Sequence, residues 1–200
     1  MIEFDPARAA VINVHWQYDM VAPEGAFGAF FAEGVQRRGV VAKAGLLSRA
    51  ARSAGTTVIY LREAFRPGYH DLIVNCPLHA LVEQNKALVD GTHGAELIED
   101  IAPEPGDVVI THTTVSGFHA TELDHVLRGK GIDTVLFTGV ATNYSVENTA
   151  RDAVNHGYRS LIVSDACSTS SDEAHQATLN TFTLLGDVVT TEDVVAAFSR

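Results

Sequence analysis

Cysteine is scarce in this chain of 200 residues: Cys76 and Cys167 are the only two, too few to build a disulfide framework. Both thiols are therefore expected to be reduced, in a cytoplasmic protein. Cations are scarce too. Fourteen Lys and Arg against 25 Asp and Glu leave a formal charge of -11, which argues against nucleic acid or an anionic membrane as partner, because phosphate binding needs clustered basic side chains. The acidity is read as serving solubility. No apolar run approaches the ~20 residues that cross a bilayer, and the start, Met1-Ile2-Glu3-Phe4-Asp5, has no basic region leading into an apolar one. Repeats and low-complexity tracts are also missing. What is present is 46% hydrophobic content, enough for one substantial core, so residues 1–200 are read as a single domain.

The chain is organised around Gly139 to Ala153. Thr134-Val135-Leu136-Phe137-Thr138 has the β-branched and aromatic content of a buried strand. Beyond Gly139, the residues Val146, Thr149, Ala150, Ala153 and Val154 recur at helical spacing. Ser145 then falls near the start of a helix, where free N–H groups and the positive end of the dipole favour developing negative charge. A Ser in that position serves equally well as a helix cap.

Gly139-Val140-Ala141-Thr142-Asn143 followed by Val146-Glu147-Asn148-Thr149-Ala150-Arg151-Asp152-Ala153 resembles the signature of the isochorismatase-like hydrolases, the cysteine hydrolase superfamily that includes nicotinamidases and N-carbamoylsarcosine amidohydrolases. The similarity runs nearly end to end. It takes in Pro6 to Ile12, Pro23-Glu24-Gly25-Ala26, Arg62 with Phe65 to Tyr69, Pro105 to Thr111, Ser116-Gly117-Phe118 with Thr121-Glu122-Leu123, Asp165-Ala166-Cys167, and Glu173 with His175. The resemblance implies a three-layer α/β/α Rossmann-like fold with a six-stranded, mainly parallel sheet between helices. It also implies a homodimer or higher oligomer, for which the segment with Phe27, Phe30 and Phe31 is a candidate contact.

In the amide-cleaving relatives an Asp ends the first strand, a Lys follows the third, and a Cys nucleophile starts the helix after the fourth. Aligned by their neighbours, those positions fall on His15, His112 and Ser145. All three differ from the family pattern. A Lys ammonium is a fixed cation, whereas His titrates near neutrality and both donates and accepts.

Along the rest of the chain, strands are expected at Ala9–Val14, Thr56–Leu61, Asp107–Thr111, Tyr158–Ser164 and Val188–Thr190. Helices are expected at Val35–Ala54, Leu78–Leu88, Asp172–Leu185 and Thr191–Phe198, the last with Thr191 as its N-cap. Ligands of open α/β sheets gather beyond the carboxyl ends of strands. Trp16, Gln17, Phe118, His119 and Tyr144 are accordingly expected in a substrate pocket, with His70 as a further candidate. Arg151, Asp152 and His175 are read as structural. Several imidazoles raise the question of a metal, but their spacing matches no ligand motif, and no metal or other cofactor is expected.

Two enzymatic expectations result. In one, Ser145 attacks a carbonyl while His112 or His15 removes its proton and the backbone N–H groups of Ala141 and Ser145 hold the oxyanion. In the other, His15 donates a proton without a covalent intermediate, as the isochorismatases that lack the Cys do on a vinyl ether, and Ser145 holds a water or substrate oxygen. Isomerisation or elimination would use the same groups. Either way the partner is a small molecule, a carboxylate or an amide, cyclic forms included. The alternative is a ligand-binding homologue that has lost catalysis.

Overall fold

The computed structural model describes residues 2–198; Met1, Ser199 and Arg200, at the ends of the expected domain, lie outside the described residues. Six strands form one parallel sheet: β1 (Ala9–Val14), β2 (Thr57–Glu63), β3 (Val108–His112), β4 (Thr134–Val140), β5 (Arg159–Ser168) and β6 (Asp187–Val189). Their order is β3-β2-β1-β4-β5-β6, every neighbouring pair being parallel. The connections reverse direction between β1 and β4, and at such a switch point a crevice opens beyond the carboxyl ends of the strands.

β1 is apolar except for Asn13, and wholly buried, as a central parallel strand covered on both faces must be. Successive side chains go to opposite faces. Val11 joins a core built with Val40, Ala44, Leu47 and Ala51 of α3 (Val40–Ser53) and Val194 of α8 (Thr191–Phe198). Ala10, Ile12 and Val14 join the opposite core, with α5 (Leu123–Gly129), α6 (Glu147–Asn155) and α7 (Asp172–Phe182). The expected three layers are present.

Several boundaries differ from the sequence reading. The expected helix Val35–Ala54 is two helices, α2 (Gly28–Arg38) and α3, separated by Gly39 at φ 62°; the Gly39 N–H closes α2 by donating to Gln36 and Val35 carbonyls. This is the left-handed stop that glycine allows at little steric cost. Thr190, rather than Thr191, caps α8: its Oγ1 accepts from the Asp193 N–H at 3.2 Å, and its own N–H donates back to Asp193 at 3.0 Å. Between β1 and α2 lies the short helix α1 (Tyr18–Val21), and the expected helix after β2 is α4 (Pro77–Gln84). β2 runs two residues beyond Leu61. That extension carries Glu63 to the edge where ligands gather.

Candidate active site

Three neighbouring strand ends meet here. β1 stops at Val14, and His15 takes the left-handed φ of 53° while its N–H still donates to the Leu61 carbonyl at 3.0 Å. A non-glycine residue in that region is strained, and such strain clusters at functional sites. Glu63 ends β2 directly opposite His112, which ends β3. All three side chains are buried.

The two imidazoles close on each other. His15 Nε2 lies 2.9 Å from His112 Nε2, with the rings stacked at 4.9 Å between centroids. On its far side His112 Nδ1 donates to the Thr114 carbonyl at 2.7 Å. On the near side His15 Nδ1 has no hydrogen-bond partner and faces Glu63 Oε2 at 3.8 Å. Burial decides the charge states, because desolvation disfavours whichever form is ionised. It holds His15 well below the usual imidazole range, His112 adding to the effect. Burial takes His112 down to about 4 despite the opposing bond to Thr114. Glu63 is pushed up to about 8 by the same cause. Near neutrality both rings are therefore neutral and the carboxyl holds its proton.

Ser145 sits in a π-helical turn, Thr142–Val146, that precedes α6. It thus lies just before the α-helix, which starts at Glu147, and Val146 N–H reaches back to the Ala141 carbonyl at 3.2 Å. Such single turns are common at functional sites. The peptide between Val140 and Ala141 is cis. The turn is tied down at both ends. Arg38 Nη2 donates to His175 Nε2 at 2.6 Å, leaving His175 Nδ1 to donate to Thr142 Oγ1 at 2.8 Å. Thr149 Oγ1 donates to the Ser145 carbonyl at 2.6 Å.

A small cavity of about 20 Å³, room for one water-sized group, is lined by Glu63, Ala141, Tyr144 and Ser145 among apolar side chains. It shares Phe27, Phe31, Leu78 and Tyr144 with an outer vestibule of about 470 Å³. A larger depression of about 620 Å³ beside Val35, Gly45 and Arg49 holds none of these polar groups. Convergent chemistry, rather than size, marks the first as the site.

Not every expected residue reaches it. Ala141, Ser145 and Tyr144 line the cavity, whereas neither His15 nor His112 does. Trp16 is fully buried in the core with Nε1 donating to Thr138. The Gln17 amide donates to the Glu63 and Ala95 carbonyls at 2.8 and 2.9 Å and accepts from the Glu63 N–H at 2.9 Å. It holds the Glu63 backbone instead of meeting substrate. Phe118 is buried against His156 and Tyr158, and His70 and His119 are exposed. Trp16, Gln17, Phe118, His119 and His70 are thus corrected as pocket residues. A residue next to a strand end points into core, surface or cleft according to loop torsions that spacing does not determine.

The residue that the sequence reading missed is Glu63. Its signal was a carboxylate two positions beyond Leu61, on the same face of an otherwise apolar run. Neither thiol lines the cavity: Cys167 is buried and pushed up to about 12, and Cys76 lines only the vestibule. Among the described residues no group of three His, Cys, Asp or Glu is arranged to hold a metal ion, and no helix is long and apolar enough to cross a membrane.

A parallel sheet with polar groups gathered at its switch point is the layout of an α/β protein that binds or transforms small molecules. The Isochorismatase domain model matches residues 9–193, and the chain belongs to that family. A cysteine hydrolase from Pseudomonas syringae pv. phaseolicola 1448A is 31% identical, with a TM-score of 0.90 over 100% of this chain and 96% of its own. The pyrazinamidase of Pyrococcus horikoshii, solved in complex with zinc, is 26% identical (TM-score 0.77; 92% and 99% covered). N-carbamoylsarcosine amidase from Thermoplasma acidophilum is 25% identical (TM-score 0.76; 92% and 97% covered). These relatives are hydrolases.

Proposed function

We propose that this protein is an acid/base hydrolase of small, uncharged substrates with an apolar body, in which Glu63 carries the proton and the Ser145 hydroxyl orients the reacting group. The observation that carries this reading is that Glu63 and Ser145 line one small cavity, which shares Phe27, Phe31, Leu78 and Tyr144 with a neighbouring apolar vestibule. A carboxyl with its pKa pushed up to about 8 is an acid near neutrality, and general acids work best close to the ambient pH. It protonates the leaving oxygen or nitrogen of an ester or amide, or the β-carbon of a vinyl ether, and the resulting carboxylate then takes a proton from the attacking water. Backbone N–H groups of Ala141 and Ser145 are the donors proposed for the developing oxyanion.

This differs from a serine nucleophile activated by imidazole. The Nε2 atoms of His15 and His112 are engaged with each other, and a serine hydroxyl needs a base at hand far more than a thiol does. It also narrows the substrate. The vestibule is walled by Phe27, Phe30, Phe31, Leu78, Leu81 and Tyr144, and no Lys or Arg lines it or the inner cavity among the described residues. A carboxylate entering there would be desolvated beside Glu63 without a counter-ion, so aromatic or cyclic amides, esters and vinyl ethers fit better than acids. An inactive homologue is disfavoured because a protonated carboxyl buried without need lowers stability and is readily lost.

Mass-spectrometric screening of neutral substrates paired with their carboxylate counterparts tests this. Neutral members should turn over at least ~10-fold faster, Glu63→Gln should lower kcat by ~100-fold or more, and Ser145→Ala by ~10-fold. An acyl adduct on Ser145, or turnover surviving in Glu63→Gln, would sink the assignment. Preference for the acids would overturn the substrate class.

A further inference from the structure

Hydrogen-bond polarity at the imidazole pair can be followed outward from one anchor. The Thr114 carbonyl can only accept, so His112 Nδ1, 2.7 Å away, carries a hydrogen. A neutral His112 then presents a bare Nε2. His15 Nε2, at 2.9 Å from it, must be the donor. A neutral His15 in turn has a bare Nδ1, and this is the fully buried atom that has no partner. The group facing it is Glu63 Oε2, at 3.8 Å. With both rings neutral each step follows from the one before, and the chain ends on a bare nitrogen 3.8 Å from a carboxyl oxygen.

We propose that His15 and His112 are positioning residues for Glu63: the Thr114–His112–His15 chain locks one tautomeric order that sets a bare His15 Nδ1 against the Glu63 carboxyl, making it a second seat for the proton that Glu63 delivers. This rests on the reading of Glu63 as the acid of the Ser145 cavity. Protons balance simply. Before reaction the one mobile proton sits on Glu63, as carboxylic acid beside neutral imidazole, and carboxylate beside imidazolium is the transient form through which His15 serves as the second seat. When the substrate takes it, carboxylate and lone pair face each other unfavourably, and the proton returned by the attacking water restores the pair. Transfer between the two seats needs the 3.8 Å gap to close by about an ångström, the tightening expected when substrate fills a site. The titratable groups surrounding Glu63 are His15 after β1, His112 on β3 and Tyr144 across the cavity.

The family's Lys at position 112 supplies the sharpest perturbation. An ammonium donates and cannot accept, so His112→Lys would turn His15 Nε2 into an acceptor and place a hydrogen on Nδ1, pointing at Glu63. The carboxylate would then be favoured. The alkaline limb of the kcat/KM profile should fall by about one pH unit or more, whereas His112→Gln, whose amide oxygen can still accept from His15, should leave the limb near the wild-type value. A purely structural His112 would lower kcat or stability in both variants with the limb unmoved, and that result overturns the proposal. Should the Lys variant fail to fold, 15N-resolved imidazole NMR of the wild type decides without any substrate. The expected tautomers near pH 7 are Nε2–H for His15 and Nδ1–H for His112; finding Nδ1–H on a neutral His15 would reject the chain. Failure of the tautomer test leaves Glu63 catalysis standing, whereas Glu63→Gln activity addresses that reading alone.

Discussion

Glu63→Gln is expected to yield a protein that is more stable near pH 7 and nearly inactive. The Glu63 carboxyl titrates at 4.5 when unfolded and at about 8 in place, so between those values the folded state binds a proton that the unfolded state has released. Stability from this group is complete below the lower value and is lost as pH rises through the upper one. Near pH 7 the loss amounts to about 3 kcal/mol at ~1.4 kcal/mol per unit. Gln has the same size, stays neutral and escapes that loss. Melting or urea midpoints of the two proteins should coincide near pH 4 and diverge in favour of Gln up to about pH 8. If Glu63 were instead an ionised partner of a charged His15, removing its charge would destabilise the protein near pH 7, and that outcome would refute the buried-acid account.

His112 works in the opposite direction. Its folded value of about 4 lies below the 6.5 of the free side chain, so its contribution is complete above the higher value and is lost as pH falls through the lower. His15 acts in the same sense. Two rising contributions against one falling contribution place the stability maximum from these three groups near pH ~6.5. Glu63→Gln should flatten the alkaline side of it and steepen the acid side above about pH 4.5.

Gly139→Ala is expected to cost at least about 3 kcal/mol, beyond the 1–2 kcal/mol of a left-handed torsion alone. Gly139 takes φ 128°, and a Cβ there would be driven into the carbonyl oxygen of Val14 and approach its Cβ to 2.9 Å. Val14 and Gly139 form the last paired rung between β1 and β4. Separating them moves His15 away from the turn that holds Ser145, so activity should fall along with stability. Gly157→Ala is the matched control. Its φ is also positive, at 88°, but nothing lies within 4 Å of the added Cβ, and a loss of only about 1 kcal/mol is expected. Equal losses from chemical unfolding of the two variants would show that the close approach of β1 and β4 contributes nothing.

The strands were legible where burial on both faces demands uninterrupted apolar residues. Ala9–Val14 was expected and found residue for residue, and Thr134 onward was placed at its correct start. Strand ends were less legible, because polar side chains appear there and pattern reading takes them as loop. β2 was ended at Leu61 for that reason, and Glu63 was lost with it. The helix containing Val35 and Ala44 was read as continuous because apolar spacing persists across Gly39, where a single backbone torsion breaks it. Trp16 and Phe118 were placed in the pocket by adjacency to strand ends and a loop, yet both aromatic rings are buried elsewhere.

Sequence by itself determined the scaffold and family, since apolar runs, glycines at tight turns and an ordered series of motifs are local properties that survive without coordinates. It also singled out His15, His112 and Ser145 as candidate site residues. Only the tertiary structure decided how these groups are placed: pairing of β2 with β3 set Glu63 opposite His112, and the left-handed turn at His15 brought its ring beside both. Desolvation then fixed which of them carries the proton, a many-body effect of burial that no single residue encodes.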